Sequence, residues 1–333
     1  MRLASIALAT ALLACTAFAR AAPLEVRDAP GEPAGAHFPL VAGADAKAAE
    51  RINQALFIAN LSQMAPRPGD GAPPLDGMSY SVLRNDARVL SLRIDNDQCG
   101  NYCGHSSTTP AFDAATGRHL SAGDLFTAEG LKAIARRTLE ASVAANRADL
   151  AALRRQPATD ADAQDRIGLY EECRPGPAIV GRMQVEAKAV AFVQPRCSNR
   201  PQRPLDDLGD HEARFPMAEL APWLSGYGRA LLLGEGAAPE PFSPYGQVLR
   251  GSIDGRLPIT LSLGEPKAGG TVDGVYFYDR YRRPIALAGR VRDGAIELEE
   301  RESHAHLRLR AEGAALRGEW RSGQKTLPVA VAP

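Results

Sequence analysis

The chain has 333 residues, with 39 basic and 39 acidic side chains and a formal net charge of zero. Its arginines are dispersed and lysine occurs only at positions 47, 132, 188, 267 and 325, which excludes the concentrated basic footprint of a nucleic-acid binder. The length suits about two domains of ordinary size.

Behind a single early charge at Arg2, Leu3 to Phe18 is apolar or small, and Ala17-Phe18-Ala19 and Ala19-Arg20-Ala21 both fit an A-x-A cleavage site. The pattern reads as a secretory signal peptide over 1–21, short of the about 20 apolar residues a membrane span needs. Leu12-Leu13-Ala14-Cys15 also resembles a lipobox, which would end the signal at 14 and acylate Cys15. The expected location is the periplasm or the medium, or alternatively the outer or inner membrane through a lipid anchor at Cys15.

Pro23 to Gly35 reads as a lead-in and His37 to Val41 as a short strand. Asp45 is the N-cap of a helix carrying Ile52, Leu56 and Ala59 on one face. The prolines and glycines of Met64 to Gly77 mark a loop. Strands follow at Met78–Leu83 and Arg88–Asp95 around the turn Asn85-Asp86, the second supplied by Val89, Leu90, Leu92 and Ile94. Ser107 to Asp113 reads as a further strand, closed by the turn Ala115-Thr116-Gly117. From about Ala128 to Arg155 a long amphipathic helix is expected, with Leu131, Ile134, Ala135, Leu139, Val143, Leu150 and Leu153 on its apolar side. Ile179–Met183 and Val185–Val193 form an expected hairpin, and Phe215 to Leu224 a short capping helix.

Gly234 to Gly246, with Pro239, Pro241 and Pro244, marks a linker over 234–246. Beyond it lie only short alternating strands: Val248–Ile253, Leu257–Leu263, Val272–Tyr278, Ile285–Arg290, Ala295–Glu299, His306–Ala311, Leu316–Arg321 and Lys325–Val331. Asp254-Gly255, Asp293-Gly294 and Glu312-Gly313 supply hairpin turns. The expected fold is α+β over 24–233, an antiparallel sheet with helices packed on it, followed over 247–333 by a small all-β meander or barrel.

Of the five cysteines, Cys15 goes with the signal or is acylated, leaving Cys99, Cys103, Cys173 and Cys197. An even number in an exported chain suggests disulfides, and of the three possible pairings Cys99–Cys103 with Cys173–Cys197 is favoured. Gly100 and Asn101 bend the first loop, while the second bridge would close a predicted hairpin and add roughly 3 kcal/mol by loop-closure entropy. A zinc site from Cys99, Cys103 and His105 competes, against irregular ligand spacing and an oxidising compartment. No cofactor or metal is expected.

His304 and His306, two apart, would share one face of a strand as metal ligands often do. Pairing residues whose numbers sum to 605 instead sets Leu298 opposite Leu307 and Ile296 opposite Leu309 on one face. Glu299 then faces His306 and Glu297 faces Arg308 on the other, as ordinary cross-strand charge pairs. His105 with Ser106, Ser107, Asp95 and Asp97 contains the residue types of a nucleophile and base, but no nucleophile elbow surrounds either serine. His105 is expected to hydrogen-bond locally. Tyr276, Tyr278 and Tyr281, near Phe277 and Trp320, are the candidate binding surface of the C-terminal unit.

Cys103-Gly104-His105, Asp113-Ala114-Ala115-Thr116-Gly117 and Ser121-Ala122-Gly123-Asp124-Leu125-Phe126 together resemble the extracytoplasmic domain of RsiV-type anti-sigma factors, also found beside some peptidoglycan deacetylases. Phe38 to Phe57 resembles the opening of that domain and Phe215 to Leu224 its close, so the resemblance covers about residues 36–226. It implies an α+β fold in the cell envelope and, for some members, binding of proteins such as lysozyme. The chain departs from the family in lacking a sigma-binding segment, an internal membrane helix and a deacetylase domain, and in carrying the Cys99/Cys103 pair. No functional residue transfers. The expected function is non-catalytic binding of an envelope protein such as lysozyme or of a cell-wall glycan. The alternatives are a cell-wall hydrolase or deacetylase, and a structural lipoprotein.

Overall fold

A computed structural model of the chain describes residues 22–31, 36–43, 45–67, 69–70, 73–99, 103–157, 159–172, 175–176, 180–196, 198–206 and 209–333. The signal segment with Cys15, and both Cys173 and Cys197, lie outside the described residues, as do the side chains of Cys99 and Cys103. Among the described residues no helix is long and apolar enough to cross a membrane.

The N-terminal unit opens with β1 (Glu25–Asp28) paired antiparallel to β2 (Pro39–Ala42). Helix α1 (Ala46–Leu61) starts where Asp45 accepts the free N–H groups of Lys47 and Ala48 and ends at Ser62, whose φ is +52°. Asn53 ties the helix to β2, exchanging two 2.8 Å hydrogen bonds with the backbone of Val41. Ile52 and Leu56 are buried as expected, but Ala59 is exposed; Ala48, Ala49 and Phe57 complete the inner face instead.

Strand β3 (Met78–Asn85) pairs with β4 (Val89–Cys99), whose other edge pairs first with β5 (Cys103–Thr108) and then with β6 (Ala111–Asp113). The single strand expected over 107–113 is broken because Pro110 has no N–H for the ladder, although its carbonyl still accepts from Leu92 at 3.0 Å. Leu90, Leu92 and Ile94 pack on α1, whereas Val89 belongs to a second core. That core lies among α2 (Ala122–Leu125), α3 (Ala128–Leu153), the three-stranded sheet β7 (Met183–Val185), β8 (Ala189–Gln194) and β9 (His211–Pro216), α5 (Met217–Leu220) and α6 (Gly226–Leu232). A further helix, α4 (Ala161–Glu172), packs on α3. The expected hairpin forms, with its turn at Glu186–Lys188 rather than at 184.

The C-terminal strands close into a barrel. β10 (Val248–Ile253), β11 (Leu257–Leu263), β12 (Thr271–Tyr278), β13 (Pro284–Arg292), β14 (Ala295–Glu300), β15 (His306–Glu312), β16 (Ala315–Ser322) and β17 (Lys325–Ala332) pair in chain order, and β17 pairs back onto β10. The register of β14 against β15 is the one whose numbers sum to 605, with Leu298 opposite Leu307 and Glu299 opposite His306. Asp293 and Gly294, at φ +50° and +71°, form the two-residue turn that matches strand twist. Gly289 and Gly318 sit where a Cβ would lie 1.9 Å from the carbonyl oxygens of Glu297 and Arg308, so adjacent strands approach closely there. The fold is therefore α+β followed by a closed eight-stranded barrel.

The two units are packed together. Phe277, on the outer face of β12, meets Val248, Ile58 and Met64. Arg282 donates to the carbonyl of Ala65 at 2.5 Å, and Arg250 pairs with Glu50 at 2.7 Å. The proline-rich connection is pinned as well, because Glu240 accepts from Arg118 at 3.3 Å and from Arg51 at 3.4 Å.

Candidate functional site

The backbone around Cys99 to Thr108 sets the site. Asp97 donates its N–H to Gly77 on the β3 side at 2.9 Å, while Leu92 donates to Pro110 on the opposite side. Alternation along β4 therefore turns the backbone groups of Asn96 and Gln98 toward β5 and those of Asp97 and Cys99 away from it. The pairs Asp97↔His105 and Cys99↔Cys103 are thus non-hydrogen-bonded pairs. In such pairs the Cα atoms lie about 4.5 Å apart, a separation that a disulfide spans.

On one side of β5 a cleft of about 920 Å³ separates the two units. Ala55, Leu56 and Ile58 of α1 face Val248, Val275 and Ala286 of the barrel, and Ser107, Thr108 and Thr109 form its mouth. Thr108 donates to Asn60 at 2.8 Å. His119 lies at the floor, its ring edge-on to Phe112 with centroids 5.5 Å apart. Burial lowers its pKa to about 4, with Asp124 opposing and Arg118 reinforcing the shift, so the ring is neutral at neutral pH. Its Nδ1 has no partner among the described residues. Gly246, at φ +66°, keeps open the space beside it; a Cβ there would lie 3.2 Å from that nitrogen and 3.5 Å from Glu265 Oε1. Burial raises the Glu265 pKa, and Asp124 adds to the rise.

A second cleft, about 630 Å³, lies on the other side of β5. It is polar. Arg182, Arg196 and Arg203 line it with Asp97, His105 and Asp210. Asp210 lies 3.4 Å from Arg182 and 3.7 Å from Arg196. Arg203 Nε is buried with no partner among the described residues. Ser107 and Arg182 line both clefts, so the two meet at the edge of β5.

His105 makes the local contacts expected of it: Nδ1 lies 2.7 Å from Asp97 and Nε2 3.3 Å from Asp95. Both ring nitrogens face carboxylates, and neither Ser106 nor Ser107 is brought to them as a nucleophile would be. His306 opens β15 opposite Glu299, but His304 sits in the preceding turn at φ +57° with Nδ1 2.6 Å from Glu299. The two histidines therefore do not share a strand face, which corrects the spacing argument. Among the described residues no three His, Cys, Asp or Glu side chains are placed to hold a metal ion.

The aromatic surface also needs correction. Tyr276 is 1% exposed and points into the barrel, where its hydroxyl donates to Glu300 at 2.6 Å. Trp320 donates to the same oxygen at 2.7 Å, and Ser303 donates to the other. Tyr278 is half-buried against Tyr276, and of the three only Tyr281, 65% exposed, is open to solvent. A barrel mouth closed by this cluster is not a three-tyrosine platform.

No family model matches the chain, and no curated protein matches it. Among solved structures it is similar to a member of the DUF3298 family from Bacteroides fragilis. That likeness covers 61% of this chain and 92% of that one, at 13% identity and a TM-score of 0.39.

The sequence reading missed the buried cluster behind the cleft. Arg118, 1% exposed, is held by Asp124 at 2.8 Å, and Asp124 also accepts the backbone N–H of Ser121 in a capping box. Asp113 accepts the Tyr227 hydroxyl at 2.6 Å; burial first, and then this bond, push the Tyr227 pKa up. Gln247 spans to the His119 carbonyl at 2.8 Å. Asp113, Ser121 and Asp124, three of the residues on which the family resemblance rests, therefore belong to the buried network behind Phe112 and His119, the residues that line the cleft. An arginine beside a turn gives no local signal of burial.

Proposed function

We propose that this chain is an exported cell-envelope protein that binds another envelope protein through the clefts flanking β5. The observation that carries this reading is the meeting of an apolar and a polar cleft at one exposed strand edge. Their walls are held in advance by buried packing and ion pairs, and such preorganisation lowers the entropy cost of binding. The RsiV-like pattern over about residues 36–226 adds a partner class, an envelope protein of the lysozyme kind. Pairing of His105 with two carboxylates favours a shaped recognition surface over a nucleophile–base arrangement.

The test is retention of the purified mature protein on immobilised lysozyme and on insoluble peptidoglycan. Retention on lysozyme that is lost in Ser107→Arg, which fills the common mouth, is the expected outcome. Retention on peptidoglycan alone would replace the protein partner by a glycan, and failure on both would remove the reading. Mass spectrometry of the same preparation should find a start at Arg20 or Ala22, or an acylated Cys15. An intact Met1 in cytoplasmic protein would remove the export half.

A further inference from the structure

We propose that the partner is recognised as an extended, acidic peptide segment that adds as a new strand to the free edge of β5. This rests on the binding reading above and specifies its mode. Among the described residues β5 pairs only with β4. Because Asn96 and Gln98 bond toward β5, the opposing Ser106 and Gly104 spend their backbone groups on β4. The N–H and C=O groups of Cys103, His105 and Ser107 consequently point outward along the open edge.

Proteins ordinarily protect such an edge with lysine, proline or a bulge. Cys103–Thr108 contains none of these, and Gly104, Ser106 and Ser107 leave the backbone accessible. An added strand satisfies the edge by main-chain hydrogen bonds and presents alternate side chains to opposite faces. Here the two faces open into different clefts. One set of side chains enters the apolar cleft between α1 and the barrel, and the other enters the cleft of Arg182, Arg196 and Arg203. In the latter, Asp210 is shared by two arginines and Asp97 is engaged by His105. Among the described lining residues three arginines face two aspartates, and that excess of positive charge calls for a carboxylate. A glycan has neither the period-two amide groups nor the alternating side chains that this arrangement reads.

The probe is an acetylated peptide of alternating valine and glutamate, as long as β5, added to the full-length protein. Binding should slow amide hydrogen exchange at His105 and Ser107. Backbone N-methylation of the peptide nitrogens facing β5 should weaken binding about tenfold or more, whereas methylation in the opposite register leaves it largely unchanged. Replacing glutamate by lysine should weaken it by a similar factor, and Arg196→Glu should reverse that preference. The methylated peptides leave the protein unaltered, so a folding defect cannot mimic the result. Protection away from β5, equal effects of methylation in both registers, or no peptide binding would overturn the proposal. If lysozyme is retained under those outcomes, the cleft reading stands and strand addition falls. If neither lysozyme nor peptide is retained, both fall.

Discussion

His119 is a neutral imidazole at the cleft floor, facing Asp124 and Arg118 in the buried cluster and Glu265 across Gly246. Its folded pKa, about 4, lies below the ordinary 6.5, so between these values the unfolded chain binds more protons than the folded one. Its contribution is therefore complete above pH 6.5 and is lost as pH falls through about 4, a loss on the order of 3 kcal/mol. Urea midpoints measured across that range should fall less steeply for His119→Asn than for the unaltered protein. Identical slopes would show that protonation of His119 is not coupled to unfolding. The lowered carboxylates Asp28, Asp86 and Asp273 act at lower pH, around and below their ordinary 3.8, and are common to both proteins. At this scale the sequence was informative where a side chain acts on its own neighbours, as Asp45 does in capping α1. It was silent where the partner is remote: Arg118 meets Glu240 across 122 positions.

The barrel strands are the elements most legible in the sequence, because period-two alternation and Asp-Gly turns are local properties. Closure depends on glycines whose role is not local. Gly318→Val would drive a side chain into the Arg308 carbonyl, 1.9 Å from the Cβ position, and should destabilise by about 3 kcal/mol or more. Gly168→Ala, in α4 with nothing within 4 Å, should instead be neutral or stabilise by about 0.5–1 kcal/mol. Chemical denaturation of the two variants separates close strand approach from a general intolerance of glycine replacement. Helix α3 shows the limit of periodicity: its deepest line is Gly130, Ile134, Thr138 and Ser142, with several of the expected leucines only partly covered. Gly130 is there because the backbone of Trp223 passes 2.6 Å from its Cβ position. Helices α4 and α6 and strand β9 carry no clear apolar rhythm, so local pattern does not mark them.

Across the whole molecule, Phe277 joins the two units. With Val248, Ile58 and Met64 it forms a small core between them, supported by Arg282 on Ala65 and Arg250 on Glu50. The protein should accordingly unfold in one calorimetric transition. Phe277→Asp, which places a charge in that core, should split it into two, one for each unit. A single unshifted transition in the variant would mean that the units are coupled elsewhere. Alternation along β12 sets Tyr276 and Phe277 on opposite faces, but both faces are buried, one inside the barrel and one against α1. No local pattern distinguishes a solvent-facing aromatic from one covered by another unit.

By itself the sequence determined the start of α1, the eight barrel strands and the register of β14 on β15. Each follows from residues close together in the chain, through capping, turn chemistry or alternation. Only the tertiary structure decided that Tyr276 closes the barrel, that Arg118 is buried, and that two unlike clefts meet at the edge of β5. Those outcomes depend on contacts between distant segments, where packing of one unit against another sets burial and the free edge of a sheet.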